Sequence, residues 1–279
     1  MPPRRAAYDP AAVERALTAT FRRIGTRRRA EGEKKYLKSD LDFFGVPMPE
    51  IRAAARRVAR AHPGATHEEI LSVAEHLFRS RWHEHRSAGI ALLELDRARI
   101  TFRDLPRIEA LLRRAGGWAH LDWLAANVLG DWAARESKAR LKKILRRWAK
   151  DQDFWIRRAA LLAQLEPLRE GGGDFALFAA LATPMLEEKE FFIRKAIGWV
   201  LREVSKKRPE PVFELLLENL ARVSGLTRRE GAKYLSARQQ RTLAVGPGRS
   251  SPRGSTSALG SRRTATRGAG RRGAGALTR

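Results

Sequence analysis

The strongest constraint on the fold is a large aromatic side chain that recurs about every 37 residues. Trp82, Trp118, Trp155 and Phe192 are separated by 36, 37 and 37 residues. The intervals contain pairs of segments with helical spacing of apolar residues, such as residues 102–114 followed by 118–135. Stacked helix pairs with repeats of roughly 34–47 residues form α-solenoids. The period therefore predicts an all-α fold, an α-solenoid of helical repeats.

Basic residues accompany this period and indicate a binding surface. Three of the four aromatic positions are followed closely by basic residues, namely Arg86, Arg157, Arg158, Arg194 and Lys195. In a solenoid the second helix of each pair usually lines the concave face, so these side chains are expected along one groove. The alternative is a set of ordinary solvated or salt-bridged helix faces. We favour the groove because the charges recur with the repeat.

The net charge favours an anionic polymer as the partner. The 279 residues include 56 Lys and Arg against 31 Asp and Glu, which gives a net charge of +25. Residues 241–279 hold nine Arg and no acidic residue, and the preceding part is still strongly basic without them. Nucleic acid is the usual partner of such a chain. An anionic membrane surface and an Arg-rich proteome are the alternative explanations.

The composition changes near residue 240, and this change predicts a domain boundary. Residues 240–279 consist mainly of Gly, Ser, Ala, Thr and Arg, with few large apolar residues. Such a segment buries too little apolar surface to offset the entropy lost on ordering. We expect a helical domain over residues 1–239 and a disordered Arg/Gly/Ser-rich tail over residues 240–279. The tail either adds unspecific phosphate contacts or has no role.

Several classes of protein are disfavoured by what the sequence lacks. There is no Cys, which excludes disulfides and thiolate metal sites and fits a reducing cytoplasm. No apolar leader or membrane-spanning run is visible, so we expect a soluble chain without membrane contact. His83 and His85 have no further ligands at a metal-binding spacing, and we interpret them as surface residues. We expect neither a metal nor another cofactor.

Trp118 and Asp122 form the best candidate site. They follow the pair Gly116 and Gly117 and stand four residues apart, so they share one face of a helix. An indole face and a carboxylate both attract a cation. The alternative is a core Trp beside an Asp that pairs with a neighbouring Arg.

Four motifs follow one another along the helical part. They are Tyr36-x-Lys38 with FGVPMPEIR (residues 44–52), Trp118-x-x-x-Asp122 with Leu129-Gly130-Asp131, WIRRAALLAQL (residues 155–165) and KEFFIRKAIGWVLRE (residues 189–203). With these motifs in this order over about residues 12–237, the chain resembles the AlkD-like family of alkylpurine DNA glycosylases. The resemblance implies HEAT-like repeats that form a concave basic groove around a DNA duplex.

The resemblance also implies an activity, which is hydrolysis of the N-glycosidic bond of N3- and N7-alkylated purines in duplex DNA. It places the catalytic Asp on Asp122 and the two site tryptophans on Trp118 and Trp199. The DNA-binding residues expected from the resemblance and the basic groove together are Tyr36, Lys38, Arg157, Arg158, Lys195 and Arg202. We expect a monomer in the cytoplasm, associated with the nucleoid. The family often has Trp-Trp-Asp where this chain has Gly117-Trp118-Ala119.

The chemistry of an N-alkylated purine suits a site with a single carboxylate. The base carries a formal positive charge, so it is a good leaving group that needs little protonation. Asp122 is expected to stabilise the oxocarbenium sugar and to orient the attacking water, kept ionised by nearby Arg158. The two tryptophans are expected to pack on the sugar and backbone of the lesion nucleotide. Arg158 and Tyr36 are expected to hold phosphates.

Two other functions remain open on the sequence. A non-catalytic repeat protein would recognise damaged or distorted DNA and release no base, although Asp122 in register with Trp118 and Trp199 argues against it. A helical-repeat scaffold would bind acidic proteins instead. Excess duplex DNA separates these two, because a specific protein interface should survive it.

Overall fold

The computed structural model describes residues 8–245, which are mostly helical. The first helices are α1 (Pro10–Ile24), α2 (Arg27–Leu37), α3 (Met48–Ala61), α4 (His67–Phe78), α5 (His83–Leu95), α6 (Leu105–Arg113), α7 (Trp118–Trp123) and α8 (Leu129–Arg135). The others are α9 (Lys138–Trp148), α10 (Phe154–Leu162), α11 (Leu165–Arg169), α12 (Phe175–Ala182), α13 (Phe191–Ser205), α14 (Pro209–Glu218), α15 (Gly225–Gly231) and α16 (Ala237–Val245). Residues 8–245 contain no strand, and their only β-type pairing is an isolated bridge between Asp42 and Trp82. The predicted all-α repeat architecture is confirmed.

The helices stack in two rows. Helices α5, α7, α10, α13 and α15 form the first row, in which each helix packs on the next. Helices α4, α6, α9, α12 and α14 pack behind them, and α9 lies against α10 and α12. We name the first set the site row and the second set the back row. No helix within residues 8–245 is long and apolar enough to cross a membrane.

The recurring aromatic residues mark the beginnings of the site-row helices. Trp82 directly precedes α5, Trp118 is the first residue of α7, and Trp155 and Phe192 are the second residues of α10 and α13. The rings of Trp155 and Phe192 contact each other with centroids 4.9 Å apart. The same place in each repeat is therefore filled by a large ring that packs between neighbouring helix starts.

Helix starts follow from local side-chain chemistry. Thr66 and Glu69 form a reciprocal capping box at the start of α4, at the position where the sequence predicts a helix to begin. The carboxylates of Asp153 and Glu190 accept N–H groups at the starts of α10 and α13. These caps satisfy donors that have no partner within the helix.

Helices α7 and α8 are continuous through one π-helical turn, Leu124–Val128. Residues 118–135 therefore form the single helical segment that the sequence predicts. Leu124 and Val128 are buried in this turn, and Trp132 is buried beyond it. Wide turns of this kind are frequent next to functional sites.

The predicted boundary between residues 239 and 240 does not coincide with the end of the helical structure. Helix α16 crosses it, and Leu243 is buried. Arg228 of the preceding helix donates to the carbonyl oxygen of Leu243 at 3.3 Å. Composition misplaced the boundary because one Leu is enough to anchor a turn that is otherwise polar. Residues 246–279, the rest of the predicted tail, lie outside the described residues.

Candidate active site

A glycine pair places Trp118 at the first position of α7. Gly116 and Gly117 have φ angles of 67° and 150°, which side-chain-bearing residues rarely adopt. Trp118 is half-buried, and the ring of Tyr36 meets it edge-on with centroids 5.8 Å apart. Tyr36 is itself 72% exposed near the end of α2. Two predicted site residues from distant parts of the sequence are thus adjacent.

Asp122, one turn beyond Trp118, is held by Arg158 of α10. Arg158 Nε donates to Asp122 Oδ1 at 2.7 Å and Nη2 donates to Oδ2 at 2.8 Å. Nη1 donates to the carbonyl oxygen of Phe192 at the start of α13. The side chains of Asp122 and Arg158 are 13% and 3% exposed. One buried guanidinium therefore joins three successive helices of the site row.

Two opposing effects act on the carboxyl group of Asp122. Burial raises its pKa above the usual value, and the hydrogen bonds and charge of Arg158 oppose that rise, with burial the larger effect. The expectation that Arg158 alone sets the charge of Asp122 is therefore incomplete. Each carboxylate oxygen accepts one bond from Arg158 and keeps a further lone pair for another donor.

The Asp122 position recurs along the site row. The fifth residues of four successive site-row helices are Ser87, Asp122, Arg158 and Lys195. Lys195 Nζ pairs with Glu230 Oε1 of α15 at 2.8 Å, as Asp122 pairs with Arg158 of α10. Equivalent places in the stack therefore carry ion pairs that link neighbouring helices.

The arginines one position earlier have a structural role. Each donates from its guanidinium to the backbone carbonyl six residues before it, and they are Arg86, Arg157 and Arg194. Arg157 also pairs with Glu188 at 2.8 Å. These side chains close the loop that precedes each helix, so the recurring basic residues are not the free groove cations that the sequence led us to expect. Only Arg158 of this set reaches Asp122.

The other predicted site residues lie on α13 and at the end of α2. Lys195, Trp199 and Arg202 share one face of α13 because they stand four and three residues apart. Lys195 and Arg202 both bind the carboxylate of Glu230. Trp199 is half-buried against the core, and no ring contact within residues 8–245 joins it to Trp118. Lys38 is exposed at the end of α2 in a left-handed conformation with φ of 49°.

Sequence reasoning missed a set of exposed cations in the loops before the site-row helices. They are Arg79, Arg114, Lys150 and Lys189, separated by 35, 36 and 39 residues. None of their side chains has a hydrogen bond or ion pair within the part of the chain that the structure describes. Their near-regular spacing was the available signal, and it lies outside the helical windows that drew attention. We name these four residues the loop cations.

The histidines are buried, which corrects their interpretation as surface residues. His83, His85 and His120 all lie in the core, and the rings of His83 and His120 are 4.2 Å apart. The Nε2 atom of His120 is 3.0 Å from Ser87 Oγ, so the ring has a polar partner. Burial lowers the pKa of His120 to about 4, which leaves it neutral at neutral pH. Within residues 8–245, no group of three or more His, Asp or Glu could hold a metal ion.

Glu84 explains the Phe-Gly-Val segment of the first motif. Its buried carboxylate accepts the N–H groups of residues 44–46 at 2.7–3.2 Å. Gly45 has φ of 77°, and a Cβ there would lie 2.1 Å from a backbone oxygen. This loop follows α2, which carries Tyr36, so Glu84 anchors the connection beyond that helix. The segment is an internal anchor, and it explains itself without a DNA contact.

Comparisons with known proteins agree on one family. A family model described as DNA alkylation repair enzyme matches residues 17–235. A solved structure from Enterococcus faecalis, described as a predicted DNA alkylation repair enzyme, is similar with a TM-score of 0.70 and 28% sequence identity. That match covers 77% of this chain and 98% of the other. Among curated proteins, none matches this sequence.

Proposed function

The chain belongs to the DNA alkylation repair enzyme family, and we propose that it is a DNA glycosylase. Its substrates would be N3- and N7-alkylated purines in duplex DNA, bound by a monomer in the cytoplasm near the nucleoid. One observation carries the proposal, namely a carboxylate fixed by a buried Arg one turn from a half-buried Trp. That combination suits a reaction in which positive charge develops on a sugar.

The proposed reaction breaks the bond between C1′ of the deoxyribose and the purine nitrogen. The bonding electron pair leaves with the base and neutralises its positive charge. Asp122 stabilises the positive charge that develops on the sugar, and the lone pair left on each of its oxygens is available to orient a water. The water adds to C1′ and loses a proton to Asp122 or to solvent. The products are a free alkylated base and an abasic site.

Arg158 supports this reaction by holding Asp122 in one orientation. Its guanidinium is 3% exposed and engages both carboxylate oxygens and a backbone carbonyl. We therefore assign it a positioning role in place of the phosphate contact expected from the sequence. A carboxylate that is already oriented needs no reorganisation as the transition state forms.

Phosphate contacts fall to side chains that are exposed and have no internal partner. The loop cations precede the site-row helices, at the same ends as Trp118 and Asp122. Tyr36 and Lys38 are exposed beside them at the end of α2. Contacts of this kind hold a duplex in place without reading its sequence.

The test is release of free base from a duplex that contains 7-methylguanine. Native protein should release the base, and Asp122→Asn should slow release by about 100- to 1000-fold, because the charge that stabilises the sugar is gone. Duplex affinity should change little. Asp131→Asn is the matched control, since Asp131 lies on the same helical segment and pairs with Arg97 and Arg135 at the surface. Release by Asp122→Asn at the native rate would refute the mechanism.

A second candidate is a DNA-binding protein without catalysis, which recognises damaged or distorted DNA. It is favoured by the fact that both oxygens of Asp122 already accept from Arg158, as in a purely structural ion pair. This alternative predicts firm duplex binding by native protein and no release of base in the same assay.

A further inference from the structure

Helix α9 differs in charge from the rest of the back row. Its sequence, KARLKKILRRW, contains six basic residues and no acidic one. Helices α4 and α14 carry Glu as their Asp, Glu, Lys or Arg residues, and α12 carries none of these four types. A generally Arg-rich composition would spread its charge over all of these helices. The positive charge is instead concentrated on one helix.

Three cations form a stripe on the solvent side of α9. The helix faces the core with Ile144, Leu145 and Trp148, which are buried. Lys142, Lys143 and Arg146 are exposed on the other side, within one turn of each other. None of these three side chains has a hydrogen bond or ion pair within the described residues 8–245. We name them the α9 stripe.

Neighbouring basic residues on the same helix are compensated. Arg140 pairs with Glu136 at 3.2 Å and Arg147 pairs with Glu109 at 2.5 Å. Lys142 and Arg146 stand four residues apart, an arrangement in which like charges destabilise a helix by a few tenths of a kcal/mol. The stripe therefore keeps three uncompensated charges beside two basic residues that are paired. A bound polyanion would supply the missing counter-charge.

The α9 stripe faces away from the candidate active site. Helix α9 packs on α10, which carries Arg158, and the stripe is opposite its buried face. The thickness of a helix, roughly 10 Å with its side chains, therefore separates the stripe from α10. A short duplex held against Asp122 leaves the stripe free for another occupant.

We propose that the α9 stripe binds the phosphate backbone of a second segment of duplex DNA, so that one molecule holds two segments at once. Clustered Lys and Arg without apolar neighbours suit phosphates, which are contacted as point charges without sequence preference. Protein interfaces are instead built around buried aromatic or aliphatic anchors and are depleted in Lys. The exposed stripe has no such anchor, and this favours DNA over an acidic protein.

A two-duplex capture experiment tests the proposal. The full chain is bound to an immobilised duplex of about 12 base pairs, roughly 40 Å long, and an unrelated fluorescent duplex of the same length is then added. Native protein should capture the second duplex. The combined variant Lys142→Gln, Lys143→Gln, Arg146→Gln should lose capture at least about tenfold, since each lost phosphate contact lowers the salt slope by about 0.9. Its release of 7-methylguanine from a single duplex should stay within about twofold of native, because its loop cations are intact.

The matched control removes three charges from the loop cations by Arg79→Gln, Arg114→Gln and Lys189→Gln. This variant should bind the first duplex weakly, whereas the stripe variant should bind it normally. Unchanged capture by the stripe variant would overturn the proposal and assign bridging to another surface or to a second copy of the chain. No capture by native protein would overturn it too, and stripe-dependent binding of oligoglutamate would then identify an acidic protein as the partner.

Discussion

Two ion pairs occupy equivalent places on the site row and differ in their electrostatics. The first, the Asp122 pair, joins α7 to α10 through Arg158, and the second, the Glu230 pair, joins α13 to α15 through Lys195. In the first, the cation is 3% exposed and burial raises the pKa of the carboxyl group. In the second, Lys195 is 39% exposed, and its hydrogen bond lowers the pKa of Glu230. Depth below the surface, more than the identity of the partners, separates them.

The charge balance of the two pairs also differs. Asp122 has one cationic partner, so that pair is neutral when both groups are ionised. Glu230 has two, because Arg202 binds its second oxygen, and this group of three side chains carries a net positive charge. The first arrangement presents a carboxylate to a cation that develops nearby. The second attracts phosphate, although its carboxylate restrains both cations.

The largest expected contrast is in stability when each cation is removed. Arg158→Ala leaves a buried carboxylate without its partner and should lower the free energy of unfolding by about 3–5 kcal/mol. Lys195→Ala removes an exposed group from Glu230, which keeps Arg202, and should cost less than about 1 kcal/mol. Urea unfolding of both variants measures the difference. Equal losses would mean that the two pairs are energetically alike.

The third position of each helix predicts a contrast in acid. Helix α7 has buried His120 there, whereas α13 has Ile193. Because the pKa of His120 falls from 6.5 to about 4 on burial, the unfolded chain takes up the proton first as the pH drops. Stability present above pH 6.5 should be lost towards pH 4, at about 1.4 kcal/mol per pH unit from this group.

The measurement is the free energy of unfolding at pH 7.5 and pH 5 for native protein and His120→Gln, which keeps an amide near Ser87. The variant should lose less stability on acidification than native protein. Ile193→Val, the matched change on α13, should lower stability by the same amount at both pH values. An acid response that is identical in native protein and His120→Gln would exclude His120 as its source.

The smallest expected effect is a gain in DNA binding when the Glu230 pair is broken. Glu230→Gln releases Lys195 and Arg202, so duplex affinity should rise by about two- to fivefold and its salt slope should steepen by up to about 1.8. Glu218→Gln on α14 removes the same charge without freeing a cation and should give a smaller gain. Duplex titrations at several salt concentrations compare them, and equal gains would show that only net charge matters.

The fold was predictable because the aromatic period has one geometric cause. A large ring stands at or next to the first residue of each site-row helix, where it fills the gap between neighbouring helix starts. Helix α16 escaped the prediction because its anchoring depends on Leu243 alone. The buried histidines escaped it because their partners, such as Ser87 for His120, come from another helix.

The candidate site was predictable in its residues and not in their roles. Asp122, Trp118 and Tyr36 came from motifs, and the structure brings Tyr36 to Trp118 and Arg158 to Asp122. Arg157 and Arg158 are adjacent in sequence, yet they point about 100° apart around α10. One anchors a loop and the other reaches Asp122. Which does which depends on the depth of neighbouring helices, and no pattern of residue types records that depth.

The wide turn at Leu124–Val128 has a consequence for angular phase. A regular α-helix locks the direction of its first residue to that of its last, since each residue adds about 100° of rotation. Five residues wound more loosely break that lock. The leading end of the segment can aim Asp122 at Arg158 while the trailing end keeps Trp132 in the core. Aim and anchoring thereby become separately adjustable, so a change in one end need not be matched in the other.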